Sequence, residues 1–197
     1  MIYQFKNFKP YIHPSSFVHP LAAVTGCVKI GANVYIGPFA AIRGDFGEII
    51  IEDGCNIQEH VMIHMFPGIT VRLDQNVHVG HGAIIHGAHI ESDCLIGMNS
   101  VIMDDSKIGS ESIIGALSFI KEGSIYDKRS LIVGNPAKVI KQVSDEMLDW
   151  KKKGTNLYQL LAAECLSDLQ EVDPYTHLPE NWETPTGEFL NWKKQKL

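Results

Sequence analysis

At 197 residues, 45% hydrophobic and 20% charged, the chain is long enough for one sizeable core and an appendage. Its formal net charge of −6 argues against nucleic acid or an anionic membrane surface as the main partner. No stretch approaches a membrane span, and the opening MIYQFKNFKP lacks the apolar run of a secretion signal.

The thiols are Cys27, Cys55, Cys94 and Cys165, scattered with no C-x-x-C pair, so the expectation is a reduced, cytoplasmic protein. In chain order, the first 25 residues, punctuated by Pro10, Pro14 and Pro20, read as a lead-in strand and a cap. A six-residue repeat follows. Aliphatics step through Ile30, Ile36 and Ile42, then Ile51, Ile57 and Ile63, then Leu73, Val79 and Ile85. A longer run continues from Ile90 through Ile96, Ile102, Ile108 and Ile114 to Ile120. Glycine often follows the aliphatic, as at Gly31, Gly37 and Gly97, and a small residue such as Ala40, Ala83 or Ser100 stands four places after it.

A period of six suits neither an amphipathic helix nor a meander. It suits short strands joined by tight turns, each with one aliphatic turned inward. Three such strands close a triangular coil of eighteen residues, and coils stack at about 4.8 Å. The alternative, a β-sandwich, would carry the spacing by accident. The repeat breaks between Ile42 and Ile51, at RGDFGEII, and between Ile63 and Leu73, at HMFPGITVR. The four extra residues of the second break must loop out, with Pro67-Gly68 as the turn, and loops on a rigid scaffold are where sites are built.

The expected divisions are a β-helix over 1–140, a helical extension over 141–172 and an irregular tail over 173–197. GNPAK (134–138) reads as the turn leaving the coil. Ser144 caps one helix that Gly154 stops, and Thr155 caps a second whose apolar face is Leu157, Leu160, Leu161, Cys165 and Leu169. Trp182 and Trp192 suggest docking on a surface, with a loose tail as the equal alternative.

Six of nine histidines fall between Asn56 and His89. His64 follows Ile63 and His86 follows Ile85, so both share one phase, one coil apart. They should stand one above the other, close enough to share a metal. His81 lies one face earlier. Either it is not a ligand, or it serves the metal of a neighbouring copy in a threefold assembly. The bland alternative is a histidine-rich solvated surface. His60, His78 and His89 are possible partners or proton carriers, whereas His13, His19 and His177 read as structural or solvated. Asp104 and Asp105 read as a turn. No G-x-S-x-G elbow or Cys–His–Asn pattern supports serine or cysteine hydrolase chemistry.

The repeat resembles the hexapeptide proteins, whose fold is a single-stranded left-handed parallel β-helix. RGD (43–45), NIQE (56–59), His64 and VGHGAIIHG (79–87) resemble the γ-class carbonic anhydrase-like branch of that family. The resemblance implies a homotrimer with zinc, or iron or cobalt in its place, bound by His64, His81 and His86 across each interface. It also implies Arg43 and Asp45 as interface ion-pair residues, and Asn56 and Gln58 as polar groups beside the metal-bound water, with Arg43, Asn56 and Gln58 as catalytic residues. Glu59 replaces the usual Asp. Phe46 stands where efficient carbon dioxide-hydrating members carry a carboxylate.

From about residue 2 to 172 the chain is also similar to the subgroup of phenylacetate-degradation and carnitine-operon proteins, PaaY and CaiE. The segments that carry this are RGDFG, IGMNSVIMDDSKIG and WKKKGTNLYQLL, and RGDFG and WKKKGT lean toward PaaY. The implied activity is hydrolysis of acyl-CoA thioesters by metal-activated hydroxide. The runners-up are γ-type carbonic anhydrase, acyl transfer with a single histidine base, and a non-enzymatic accessory trimer.

Overall fold

Three columns of aliphatic side chains run the length of the molecule, and the backbone winds around them. A computed structural model, which describes residues 1–185 and 189, shows a left-handed parallel β-solenoid ending in one helix. The first column contains Ile36, Ile57, Val79, Ile96, Ile114 and Ile132; the second Val24, Ile42, Ile63, Ile85, Ile102 and Ile120. The third holds Ile30, Ile51, Leu73, Ile90 and Ile108. Every one of these side chains is 1% exposed or less, and each contributes about 1.5–3 kcal/mol by burial. Strands of mostly two or three residues suffice because every coil is hydrogen-bonded to the coil above and below it.

The regular coils reach further at both ends than the isoleucine spacing suggests. Ile12 is in register with Ile30, and Phe17–Val18 with Tyr35–Ile36, so the coil begins inside the segment expected as a lead-in. At the other end Tyr126 follows Ile108 and Ile132 follows Ile114. Val18 at the start and Tyr126 at the end hold the inward phase, which a count of isoleucines misses.

The two expected breaks take different forms. The first is no loop: Ala41–Ile51 is one strand of 11 residues, paired with Ala23–Ile30 through a bulge where Gly26↔Gly44 gives way to Val28↔Ile49. The second does loop out, around Pro67 and Gly68, and Gly68 N–H donates to Phe46 O at 2.9 Å, so the two insertions are tied together. Gly47 permits this closeness, since a Cβ there would lie 2.0 Å from Ile69 O. There is also a third irregularity that the sequence reading passes over. Ile85 and Ile90 are five residues apart, so the coil at His86-Gly87-Ala88-His89 is one residue short.

The solenoid closes with an antiparallel hairpin, Ser130–Gly134 against Ala137–Gln142, turning within GNPAK. One continuous helix follows, Asp145–Asp168, capped by Ser144 Oγ accepting from Met147 N–H at 3.3 Å. The expected stop at Gly154 and restart at Thr155 do not occur. Gly154 is buried inside the helix under the Phe189 ring, where a side chain would be crowded. The expected apolar face holds in part: Leu161 and Cys165 pack against the Phe17–Tyr35 cluster, while Leu157, Leu160 and Leu169 face outward. The rest of the docking surface is Met147, Leu148, Lys151, Thr155, Tyr158 and Ala162. Lys151 Nζ donates to Asn76 O at 2.5 Å, and Gln159 Nε2 to Gly54 O and Asn76 Oδ1, both at 3.1 Å. Trp182 is 59% exposed, and Trp192 lies outside the described residues; the tail residue seen to dock is Phe189, stacked on Trp150.

Candidate active site

One face of the solenoid carries candidate ligands along both of its edges. Its strands include Met62–His64, Ile84–His86, Val101–Ile102 and Phe119–Ile120. Residues alternate in and out along a strand, so Ile63, Ile85, Ile102 and Ile120 point into the core while Met62, Ile84, Val101 and Phe119 form an outward apolar ladder. Met62 is 50% exposed, and Phe39 and Leu117 stand exposed at the leading edge. His64 and His86 end their strands at the trailing edge. His81 sits in the turn that begins the same face.

His64 and His86 are register partners with ring centroids 5.4 Å apart. Two imidazoles bound tetrahedrally to one zinc would have centroids about 5 Å apart given Zn–N of roughly 2.0–2.1 Å, so the pair fits a shared metal. His86 Nδ1 lies 2.7 and 2.8 Å from the two oxygens of Asp104, which leaves its Nε2 free. His81 Nδ1 lies 2.5 Å from Glu59 Oε2, so its Nε2 is also free. A carboxylate behind a ligand histidine fixes the tautomer and raises ligand basicity. His64 differs: its Nε2 is held by Asp45 Oδ1 at 2.9 Å. Arg43 Nη1 holds the other oxygen of Asp45 at 2.8 Å. Burial opposes ionisation of Asp45, yet the His64 hydrogen bond and the Arg43 charge bring its carboxyl below the usual range.

The two insertions wall this edge with rings. Phe46 lies 5.5 Å from His64, and Phe66 meets His86 edge-on at 5.0 Å. A benzyl group therefore occupies the flank of the histidine pair at position 46.

Asn56 and Gln58 lie elsewhere, on the face covered by the helix. Gln58 Nε2 donates to Asn56 Oδ1 at 3.0 Å and lies 2.7 Å from His78 Nε2. The neighbouring Glu59 also accepts from Tyr35 OH at 3.2 Å. This links the polar pair to the His81 edge of its own chain, away from His64 and His86. Among the described residues no group of three or more His, Cys, Asp or Glu could hold a metal ion by itself.

The other histidines separate clearly. His78 is packed under Tyr158, and burial, with the charges of Lys151 and His81, lowers its pKa to about 3. His60 stacks on Phe39, and His89 pairs with Asp74. His13 and His19 fold back on their own turns, and His177 meets Thr176. Asp104 is the partner that the sequence reading set aside as a turn residue. The signal was present, since it lies one eighteen-residue coil after His86.

The family model described as bacterial transferase hexapeptide (six repeats) matches residues 9–44 and 87–122. The carnitine operon protein CaiE of Salmonella agona is 47% identical over 179 residues, 91% of this chain and 90% of its own. A Bacillus cereus structure described as a candidate acetyltransferase aligns with a TM-score of 0.81 and 35% identity, over 82% of this chain and 94% of that one. A hexapeptide transferase family protein from Anaplasma phagocytophilum gives a TM-score of 0.78 and 26% identity, over 82% and 95%. The CaiE relative carries the carnitine-operon side of the sequence resemblance.

Proposed function

Since the chain belongs to the bacterial hexapeptide-repeat family, together with CaiE, we propose that it is a metal-dependent hydrolase of acyl-CoA thioesters that works as a homotrimer. The observation that carries this is an outward apolar ladder with His64 and His86 on one edge and His81 on the other. An apolar ladder of this kind on a rigid solenoid is a surface for another copy. A threefold axis parallel to the coil stack brings one copy's His81 edge to the next copy's His64–His86 edge. Three histidines, two of them with Nδ1 fixed by carboxylates, then face one point.

His64, His81 and His86 would hold a zinc-class ion, and iron or cobalt would also suit three imidazoles. Such an ion supplies Lewis acidity and lowers the pKa of water. Glu59 and Asp104 keep protons on Nδ1 of their histidines and hold the rings in place. Gln58 spends both N–H groups of its amide on Asn56 and His78, so Asn56 and Gln58 would serve to hold the Glu59–His81 edge in place. Arg43, exposed beside Asp45, offers a cation to the anionic thioester. Overall, the water oxygen bonds to the carbonyl carbon, the C–S bond breaks, and the thiol leaves carrying a proton.

The second reading is acyl transfer, favoured by the 35% identical structure described as a candidate acetyltransferase. It needs an acceptor, so thioester consumption without one separates the two.

The test is complementation. His81→Ala and His86→Ala each spoil every site in their own homotrimers. A mixed trimer regains one intact interface in three, with His64 and His86 from one chain and His81 from the other. Metal content and hydrolysis should both return in part on reassembly. Mixed trimers with neither would overturn the shared-site reading.

A further inference from the structure

Three carboxylates stand behind the three candidate ligands, and each is anchored in its own way. Asp45 is pinned by Arg43, and Asp104 gives both oxygens to His86 with its side chain only 6% exposed. Glu59 has the longest side chain of the three and the most open, at 30%. Three side-chain torsions must be fixed before one of its oxygens faces His81 Nδ1, and that loss of freedom opposes the contact.

Tyr35 supplies the second anchor. Its hydroxyl donates to Glu59 Oε1 at 3.2 Å while Glu59 Oε2 lies 2.5 Å from His81 Nδ1, so the carboxylate is held from both sides. The repeat sets this alignment. Glu59 and His81 each follow a register partner, Ile57 and Val79, by two residues, and Tyr35 is in register with Asn56. Gly37 leaves the lane open, since a Cβ there would lie 3.0 Å from Glu59 Oε1. The phenol itself is firmly placed: Tyr35 is 6% exposed, stacked on Phe17 at 5.8 Å and braced by Tyr158 of the helix at 5.5 Å. Burial, and then the Glu59 charge, raise its pKa, so it stays a donor.

We propose that Tyr35 is a positioning residue for His81, acting through Glu59, and that the C-terminal helix steadies this histidine by bracing the Tyr35 ring. The consequence for metal rests on the three-histidine reading above. Since His81 there completes the neighbour's site, the helix of one subunit tunes the metal affinity of the next.

Two measurements on the intact protein test this. In metal-free protein at about pH 8, where an ordinary imidazole is neutral, side-chain nitrogen NMR reads the tautomer of His81. The wild type should carry the proton on Nδ1. Tyr35→Phe, which keeps the ring and loses only the hydroxyl, should show both tautomers, and Tyr158→Ala should move the same way. Tyr158→Phe, which deletes a hydroxyl from the same aromatic cluster, should match the wild type. The second readout is zinc affinity by competition with a chromophoric chelator. Tyr35→Phe should weaken it about tenfold, the low end for an outer partner of a ligand. In a Glu59→Ala background the same change should add nothing.

An unaltered His81 tautomer in Tyr35→Phe overturns the relay, whatever zinc does. So does a loss of affinity that persists in full without Glu59, and Tyr158→Ala matching the wild type overturns the part given to the helix. A tautomer change in a protein that binds no zinc, or binds it equally well as His81→Ala, would sink the three-histidine reading and leave the relay standing.

Discussion

Asp104 accepts from His86 Nδ1 through both carboxylate oxygens, at 2.7 and 2.8 Å, from a position that is 4% exposed. The two residues stand one coil apart, so the solenoid repeat itself delivers the carboxylate to the histidine. Asp104→Ala should therefore lower zinc affinity about 10–100-fold, while Asp104→Asn, which still accepts from Nδ1–H, should keep most of it. Competition with a chromophoric chelator reads this without any assay of activity. Equal affinities in Asp104→Ala and wild type would mean that the contact orients nothing.

The apolar ladder makes a second prediction. Met62→Asp and Ile84→Asp place carboxylates where the neighbouring copy should pack, and both positions are outward-facing, so the coil itself should stand. Sedimentation should show trimers for the wild type and monomers for the double variant, with unchanged circular dichroism. A double variant that stays trimeric would place the interface on another face.

Phe46 bears on carbon dioxide hydration. Its ring flanks His64, so Phe46→Glu puts a proton acceptor beside the histidine pair. Hydration should rise about tenfold or more, mostly in weak buffer, where proton removal is slow. A wild type that already hydrates carbon dioxide rapidly would promote the carbonic anhydrase reading over the thioesterase.

His78 predicts an acid sensitivity. Its pKa falls from 6.5 to about 3 on folding, through burial first and then the charges of Lys151 and His81. The unfolded chain thus binds a proton that the folded chain refuses. Stability is unaffected by this group above about pH 6.5 and falls as pH drops toward 3, by about 2 kcal/mol at pH 5. Urea midpoints across pH 7 to 5 should show that loss in the wild type and much less of it in His78→Phe. Parallel curves would mean that His78 is not the group.

The solenoid was legible because its core is one residue deep. A single inward aliphatic per six positions is a one-dimensional signal, and the phase of His64 and His86 follows from it directly. What failed was the part that depends on surfaces meeting. The helix reads as two pieces when Gly154 is weighed by propensity, but Phe189 and the solenoid bury that glycine. Of the leucines read as the packing face Leu161 does pack, but Lys151, Gln159 and Tyr158 add contact through hydrogen bonds and rings that hydropathy does not register. Asp104 was missed because a turn was judged by its neighbours in sequence and not by the residue eighteen places before.

The spans of these contacts also order events during folding. Coils close on partners 17–22 residues away, such as Ile85↔Ile102 and Ile63↔Ile85, which is local bookkeeping for a growing chain. The helix reaches back 75 residues from Lys151 to Asn76 and 105 from Gln159 to Gly54. It can seat only on coils that are already stacked, so the wall over Gln58 and His78 is the last part of the fold to be built. Until then the ribosome-bound chain presents a finished solenoid whose polar pair is still wet.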